Sequence, residues 1–100
     1  MLIREFQNMM RRIYFQRDSD RGPTDTYRWL KEEVDELGAA MQNGDKKTLS
    51  DEFADVIAWL ASLANILNVD LEGAAIAKYN NRCPKCGLLP CECPFMVRKS

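Results

Sequence analysis

The sequence predicts an all-α fold: an antiparallel bundle of about four helices followed by a short cysteine-rich tail. Three observations predict it. Apolar residues recur at intervals of three and four along most of the chain, no stretch alternates convincingly with period two, and turn signals divide the periodic runs. With 100 residues the chain is one domain's worth, so residues 1–82 form one helical unit and residues 83–100 an appended tail. At this size the core is marginal, and a metal or a second subunit is expected to support it.

Ile3, Phe6, Met10 and Ile13 recur at helical spacing and predict a first helix ending near Asp18. Ser19-Asp20-Arg21-Gly22-Pro23 reads as a loop. Thr24 or Asp25 can cap the second helix, whose seam is Tyr27, Leu30, Val34, Leu37 and Met41. Asn43-Gly44 stops it. Thr48-Leu49-Ser50-Asp51 has capping-box spacing and opens a third helix with the seam Leu49, Phe53, Val56, Leu60, Leu63 and Leu67. Asn68-Val69-Asp70 breaks that helix, with Asp70 as a cap, and a short fourth helix runs from Leu71 to about Asn80. Between Phe53 and Leu67 nearly every residue is apolar, so the third helix is expected to be buried on most sides.

Apolar residues make up 46% and charged residues 29%, which excludes a disordered chain. Asp55, Ser62 and Asn65 interrupt the longest apolar run, short of the roughly 18 residues of a membrane span. Arg4 and Glu5 occupy the place of a signal-peptide core, so a cytoplasmic protein is expected. The net charge of −1 conceals a pattern. Residues 1–31 carry seven basic and four acidic side chains, residues 32–72 two and ten, and residues 73–100 five and one. A uniformly basic nucleic-acid binder would look different, and nucleic acid is not an expected partner. An acidic middle between basic ends suits a protein holding cations centrally and anions at its edges; solvated helix faces are the plain alternative.

The placement of the acids decides between them. Glu33 and Glu36 are three apart on the second helix, as are Glu52 and Asp55 on the third, so each pair shares a face. Folded about Gly44, Glu33 stands level with Asp55 and Glu36 with Glu52, because each pair is equally far from the turn. Asp55 also lies inside an apolar run, where a carboxylate must be paired, protonated or metal-bound. Between residues 32 and 72 the only bases are Lys46 and Lys47, at the hairpin tip. The remaining partner is a cation. With no histidine in the chain the ligands are all oxygen, which favours Mg²⁺ or Mn²⁺ over zinc or di-iron.

Glu32-Glu33-Val34-Asp35-Glu36 followed by Glu52-Phe53-Ala54-Asp55 resembles the paired acid signature of the MazG-like all-α nucleoside triphosphate pyrophosphohydrolases. The likeness runs from Leu30 to Arg82, including the Asn-Val-Asp break and a Lys78…Asn81-Arg82 close. It implies a helical bundle, Mg²⁺ on Glu33, Glu36, Glu52 and Asp55, and hydrolysis of a nucleoside triphosphate to the monophosphate and pyrophosphate. Glu32 or Glu33 would orient or deprotonate the attacking water. The family close implies a substrate role for Asn81. Covalent catalysis is not needed, because carboxylate-held Mg²⁺ supplies charge neutralisation, an oriented water and a place for the leaving group. Lys78 and Arg82, four apart, can meet polyphosphate oxygens or simply solvate the surface.

Trp29 and Trp59 are also equally far from Gly44, and each lies one turn from a metal acid. They are expected to wall a nucleobase site, with core packing as the alternative. No Walker A motif and no histidine-activated nucleophile is present. Cys83-Pro-Lys-Cys86 and Cys91-Glu-Cys93 read as a structural Cys₄ zinc knuckle, ahead of disulfides or a redox pair. Three functions are therefore in view: the pyrophosphohydrolase, its phosphoribosyl-ATP-specific relative, and a non-catalytic zinc-containing binding module. A homodimer or dimer of dimers is expected, since one short fourth helix cannot cover the third.

Overall fold

A computed structural model of the chain describes residues 2–94, which form four helices and no strand. They are α1 (Ile3–Arg21), α2 (Pro23–Asn43), α3 (Lys46–Ile66) and α4 (Leu71–Tyr79). The α2–α3 hairpin is the largest packing unit, α1 lies along α3, and α4 rests on α1. This is the all-α bundle expected from the periodicity. The cysteine tail is described through Pro94; residues 95–100 lie outside the described residues. Among the described residues no single helix is long and apolar enough to cross a membrane.

The expected loop between the first two helices is a single residue. α1 continues past Asp18 to Arg21, and α2 starts at Pro23, so Gly22 alone makes the corner. At φ 87 and ψ 164 Gly22 occupies a region that side chains exclude, and Pro23 begins the next helix with its preset φ. A polar network sustains the extra turn. Arg21 pairs with buried Asp18, and its Nε donates to Thr26 Oγ1 at 3.0 Å. Thr26, fully buried, donates from its hydroxyl to the Gly22 carbonyl at 2.7 Å. Turn-forming residue types suggested a loop here; side chains from both helices keep it helical.

The second corner has a different logic. A Cβ on Gly44 would come within 2.6 Å of the Ala40 carbonyl oxygen, which accepts the Gly44 N–H, so only glycine fits this close approach. The cap of α3 is Asp45, not Thr48: its Oδ1 accepts the Thr48 N–H at 2.8 Å, and the helix starts three residues earlier than expected. That bond lowers the Asp45 carboxyl below its ordinary pKa.

The apolar seams divide into heptad rows. On α2, Leu30 and Leu37 are half-buried, whereas Tyr27, Val34 and Met41 are exposed. On α3, Leu49, Val56 and Leu63 are half-buried, whereas Phe53, Leu60 and Leu67 are exposed. A three-four spacing generates two such rows per helix, and within one chain only one row meets its neighbour. The third helix is consequently not buried on most sides. Its buried stripe is Ala61, Ser62, Ala64 and Asn65. Likewise the buried line of α1 is Gln7, Met10 and Asp18, with Ile3 and Ile13 exposed.

Gln7 explains that rotation of α1. It exchanges hydrogen bonds with Asn65, donating from Nε2 to Oδ1 at 3.1 Å while its backbone carbonyl accepts from Asn65 Nδ2 at 3.1 Å. Gln7 Nε2 also donates to the Val69 carbonyl at 2.7 Å, and Oε1 accepts from the Leu71 N–H at 2.9 Å. One side chain thus satisfies backbone groups exposed by the α3–α4 break. Asp70 stands at the cap position as expected, with its carboxylate paired to Arg4 at 2.8 Å.

Candidate functional site

The α2–α3 hairpin brings three acids together. Carboxylate oxygens of Glu33, Glu36 and Glu52 all lie within 4.8 Å of one another. Glu33 and Glu52 are half-buried, and each has a buried Oε2 with no hydrogen-bond partner. No Lys or Arg among the described residues forms an ion pair with any of the three. Desolvation, then a hydrogen bond and the charge of Glu36, then Asp55 and Glu52, push the Glu33 carboxyl up to about 7. Desolvation raises Glu52 as well, followed by the charges of Glu36, Asp55 and Asp51. Mutually repelling oxygens held together without a donor are costly unless a cation or proton joins them. An all-oxygen donor set of this kind fits a hard divalent ion.

Asp55 belongs to the same field but stands beside the trio, exposed, where it lines a cavity of about 330 Å³ between α1 and α3. The hairpin register levels it with Glu33; the third helix draws its surroundings toward α1, which counting about Gly44 does not include. Glu32 is exposed and outside the cluster, since adjacent helical residues point about 100° apart.

Trp29 and Trp59 do meet. Their rings stack with centroids 6.0 Å apart and planes at 22°. Trp59 also carries the Arg21 guanidinium 4.7 Å from its ring centroid and lines the cavity with Asp55. Trp29 remains 47% exposed. Lys78, Asn81 and Arg82 lie elsewhere, in a groove with Tyr79 and the cysteine segment. In the single chain they share that groove with Cys83 and Cys91, not with the carboxylates. Sequence reasoning missed the basic residues that do share a cavity with Asp55: Arg17 and Arg21, on one face of α1 with Tyr14 and Asp18. Their spacing along α1 is a legible helical face, but it contains almost nothing apolar to mark it as inward.

The four cysteine sulfurs also lie within 4.8 Å of one another. Cys83 and Cys93 sulfurs are 3.8 Å apart, and those of Cys86 and Cys91 3.9 Å. A tetrahedral zinc site with bonds near 2.3 Å has sulfur–sulfur edges of about 3.8 Å, whereas a disulfide needs about 2.05 Å. All four are free thiols. Backbone N–H groups of Cys86 and Lys85 bring the Cys83 thiol down to about 6, and those of Glu92 and Leu88 lower Cys86. Cys93, hydrogen-bonded to Cys91 and desolvated, is pushed up to about 12. The donor set and its spacing fit zinc.

A four-helix chain whose central hairpin gathers acids from both arms, Glu33 and Glu36 from α2 and Glu52 from α3, is an all-α bundle with a carboxylate cluster at its centre. The model of the MazG nucleotide pyrophosphohydrolase domain matches residues 21–87. The chain belongs to that family, a family of hydrolases. The matched span contains all the acids of the cluster and leaves out nearly all of α1 and the last two cysteines. No curated protein matches the chain.

Proposed function

We propose that this chain hydrolyses nucleoside triphosphates to the monophosphate and pyrophosphate, with Mg²⁺ or Mn²⁺ held by Glu33, Glu36, Glu52 and Asp55. The supporting observation is the pair of buried, unpartnered oxygens on Glu33 and Glu52, drawn together with Glu36 with no ion pair to a basic side chain among the described residues. When bound, the ion neutralises the polyphosphate and stabilises the departing pyrophosphate. Glu32, free and exposed beside the cluster, or Glu33 orients the attacking water and accepts its proton. Trp29 and Trp59 supply a stacking wall for the base. Non-standard nucleotides belong among the substrates to be tried.

Two further assignments complete the reading. Residues 83–100 form a tail distinct from the helical domain at 1–82, in which Cys83, Cys86, Cys91 and Cys93 hold one structural Zn²⁺. The chain works as a homodimer or a dimer of dimers, because the outward heptad rows of α2 and α3 leave Val34, Phe53 and Leu60 uncovered. A second chain also offers a route by which Lys78, Asn81 and Arg82 reach the polyphosphate. The test is pyrophosphate release from a nucleotide panel with Mg²⁺ and Mn²⁺. Orthophosphate with a nucleoside diphosphate would mean cleavage at the γ-phosphate. No turnover of any nucleotide would leave a zinc-containing binding module.

A further inference from the structure

The cavity between α1 and α3 has an antiparallel register fixed at one end by the reciprocal Gln7–Asn65 hydrogen bonds. Continuing that register sets Met10 level with Ser62, Tyr14 with Ala58 and Arg17 with Asp55, and all six residues line the cavity. One end, at Met10, Tyr14 and Ala58, is therefore apolar and aromatic. The other end is charged, with a cation and an anion facing each other from different helices.

The two arginines of that end differ. Arg21 is engaged by Asp18, Thr26 and the face of Trp59. Arg17 is exposed and its side chain makes no hydrogen bond, ion pair or ring contact with the described residues, although it stands opposite Asp55. A guanidinium is always charged and presents five donors in a rigid fork suited to phosphate oxygens. It lies across the cavity from Asp55, which the α2–α3 hairpin levels with Glu33 of the acid cluster, so an anion shared by an ion on those acids and Arg17 would satisfy both sides.

We propose that Arg17 binds the pyrophosphate portion of the substrate, from the α1 side of the cavity opposite Asp55. This rests on the pyrophosphohydrolase reading and adds to it a residue outside the span matched by the family model. The pyrophosphate unit is the most highly charged part of a nucleoside triphosphate and the part that leaves. The apolar end at Tyr14, Met10 and Ala58 is left to the less charged remainder of the nucleotide.

Arg17→Ala and Arg17→Lys, compared with the unaltered protein, test this. Charge-assisted hydrogen bonds of this kind correspond to about tenfold or more in binding. Arg17→Ala is expected to raise KM and the inhibition constant of Mg-pyrophosphate by about that factor. Arg17→Lys should fall between. Inhibition by the nucleoside monophosphate, Mg²⁺ affinity without nucleotide, and the melting temperature should be unchanged, since Arg17 supports nothing in the fold. An unaltered pyrophosphate inhibition constant in Arg17→Ala overturns the assignment. If the unaltered protein turns over no nucleotide, the functional reading fails on its own. Calorimetric titration with Mg-pyrophosphate then still decides Arg17: equal binding by both proteins, or none by either, overturns it.

Discussion

Trp29 and Trp59 stack at 6.0 Å because both stand the same distance from Gly44, on opposite arms of the α2–α3 hairpin. The contact fixes the hairpin register one turn away from the acid cluster, so the same pair serves the fold and borders the site. Trp29, still half exposed, has more surface to offer a base than Trp59, which also carries Arg21. Trp29→Ala should raise KM by about fivefold or more, the lower end of a 1–3 kcal/mol stacking contact, with little change in melting temperature. Trp59→Ala should lower both stability and affinity. Steady-state kinetics beside thermal melts separate the two effects; an unchanged KM in both variants, with the fold intact, removes the stacking assignment.

Loss of a metal ligand should abolish metal binding and turnover together. Asp55→Asn replaces a charged ligand with a neutral amide and is expected to lower turnover by more than about 100-fold. Calorimetry with Mg²⁺ should show the same loss. Because Asp55 repels both Glu33 and Glu52, the metal-free variant should melt no lower than the parent, and higher near neutral pH.

The raised Glu33 carboxyl makes the metal-free fold sensitive to pH. A carboxyl whose folded pKa lies above its unfolded value stabilises the fold when protonated. That contribution is complete below the ordinary glutamate range and is lost as pH rises through about 7. Melting temperature in chelator should therefore fall between about pH 5 and pH 7.5 by an amount that Glu33→Gln removes. Saturating Mg²⁺ should restore stability at the upper end, and Mg²⁺ affinity should weaken as pH falls below 7, where the proton competes for Glu33.

Native mass measurement should find one zinc ion per chain, and chelation or Cys86→Ser should release it. The folded helices should persist by circular dichroism, because α1, α2 and α3 take their packing from one another and not from the knuckle. Two disulfides and no zinc in protein kept reduced throughout would contradict the assignment.

Val34→Asp and Leu60→Asp place charges on the outward heptad rows, which stay exposed within one chain. If a second chain covers these rows, each variant should shift sedimentation to the monomer at micromolar concentration while the unaltered protein remains a dimer or larger. A monomeric parent protein would refute the oligomer.

Much of this was readable in sequence order. The helix count, the breaks near Gly22, Gly44 and Asp70, the meeting of the tryptophans and the clustering of Glu33, Glu36 and Glu52 follow from period and distance to a turn. Four cysteines at knuckle spacing likewise announced their own convergence. What was misread about α1 has its cause in buried polar residues. Gln7, Asp18 and Thr26 are polar and buried, so an apolar count assigned the wrong face to α1, and turn-forming residue types hid the network that keeps its last turn helical.

Sequence alone determined the local and the hairpin-level facts, because helical period and equal distance from a tight turn are properties of one or two adjacent elements. Only the tertiary structure decided what α1 does. Its register on α3 is set by hydrogen bonds between residues 58 apart, Gln7 and Asn65, and no local pattern encodes a pairing at that separation. That register turns Arg17 toward Asp55's cavity and leaves Asp55 beside the carboxylate trio instead of within it. It also settles which heptad row of each seam is inward, since a periodic pattern specifies that two rows exist, while the neighbouring helix selects the one that loses its water.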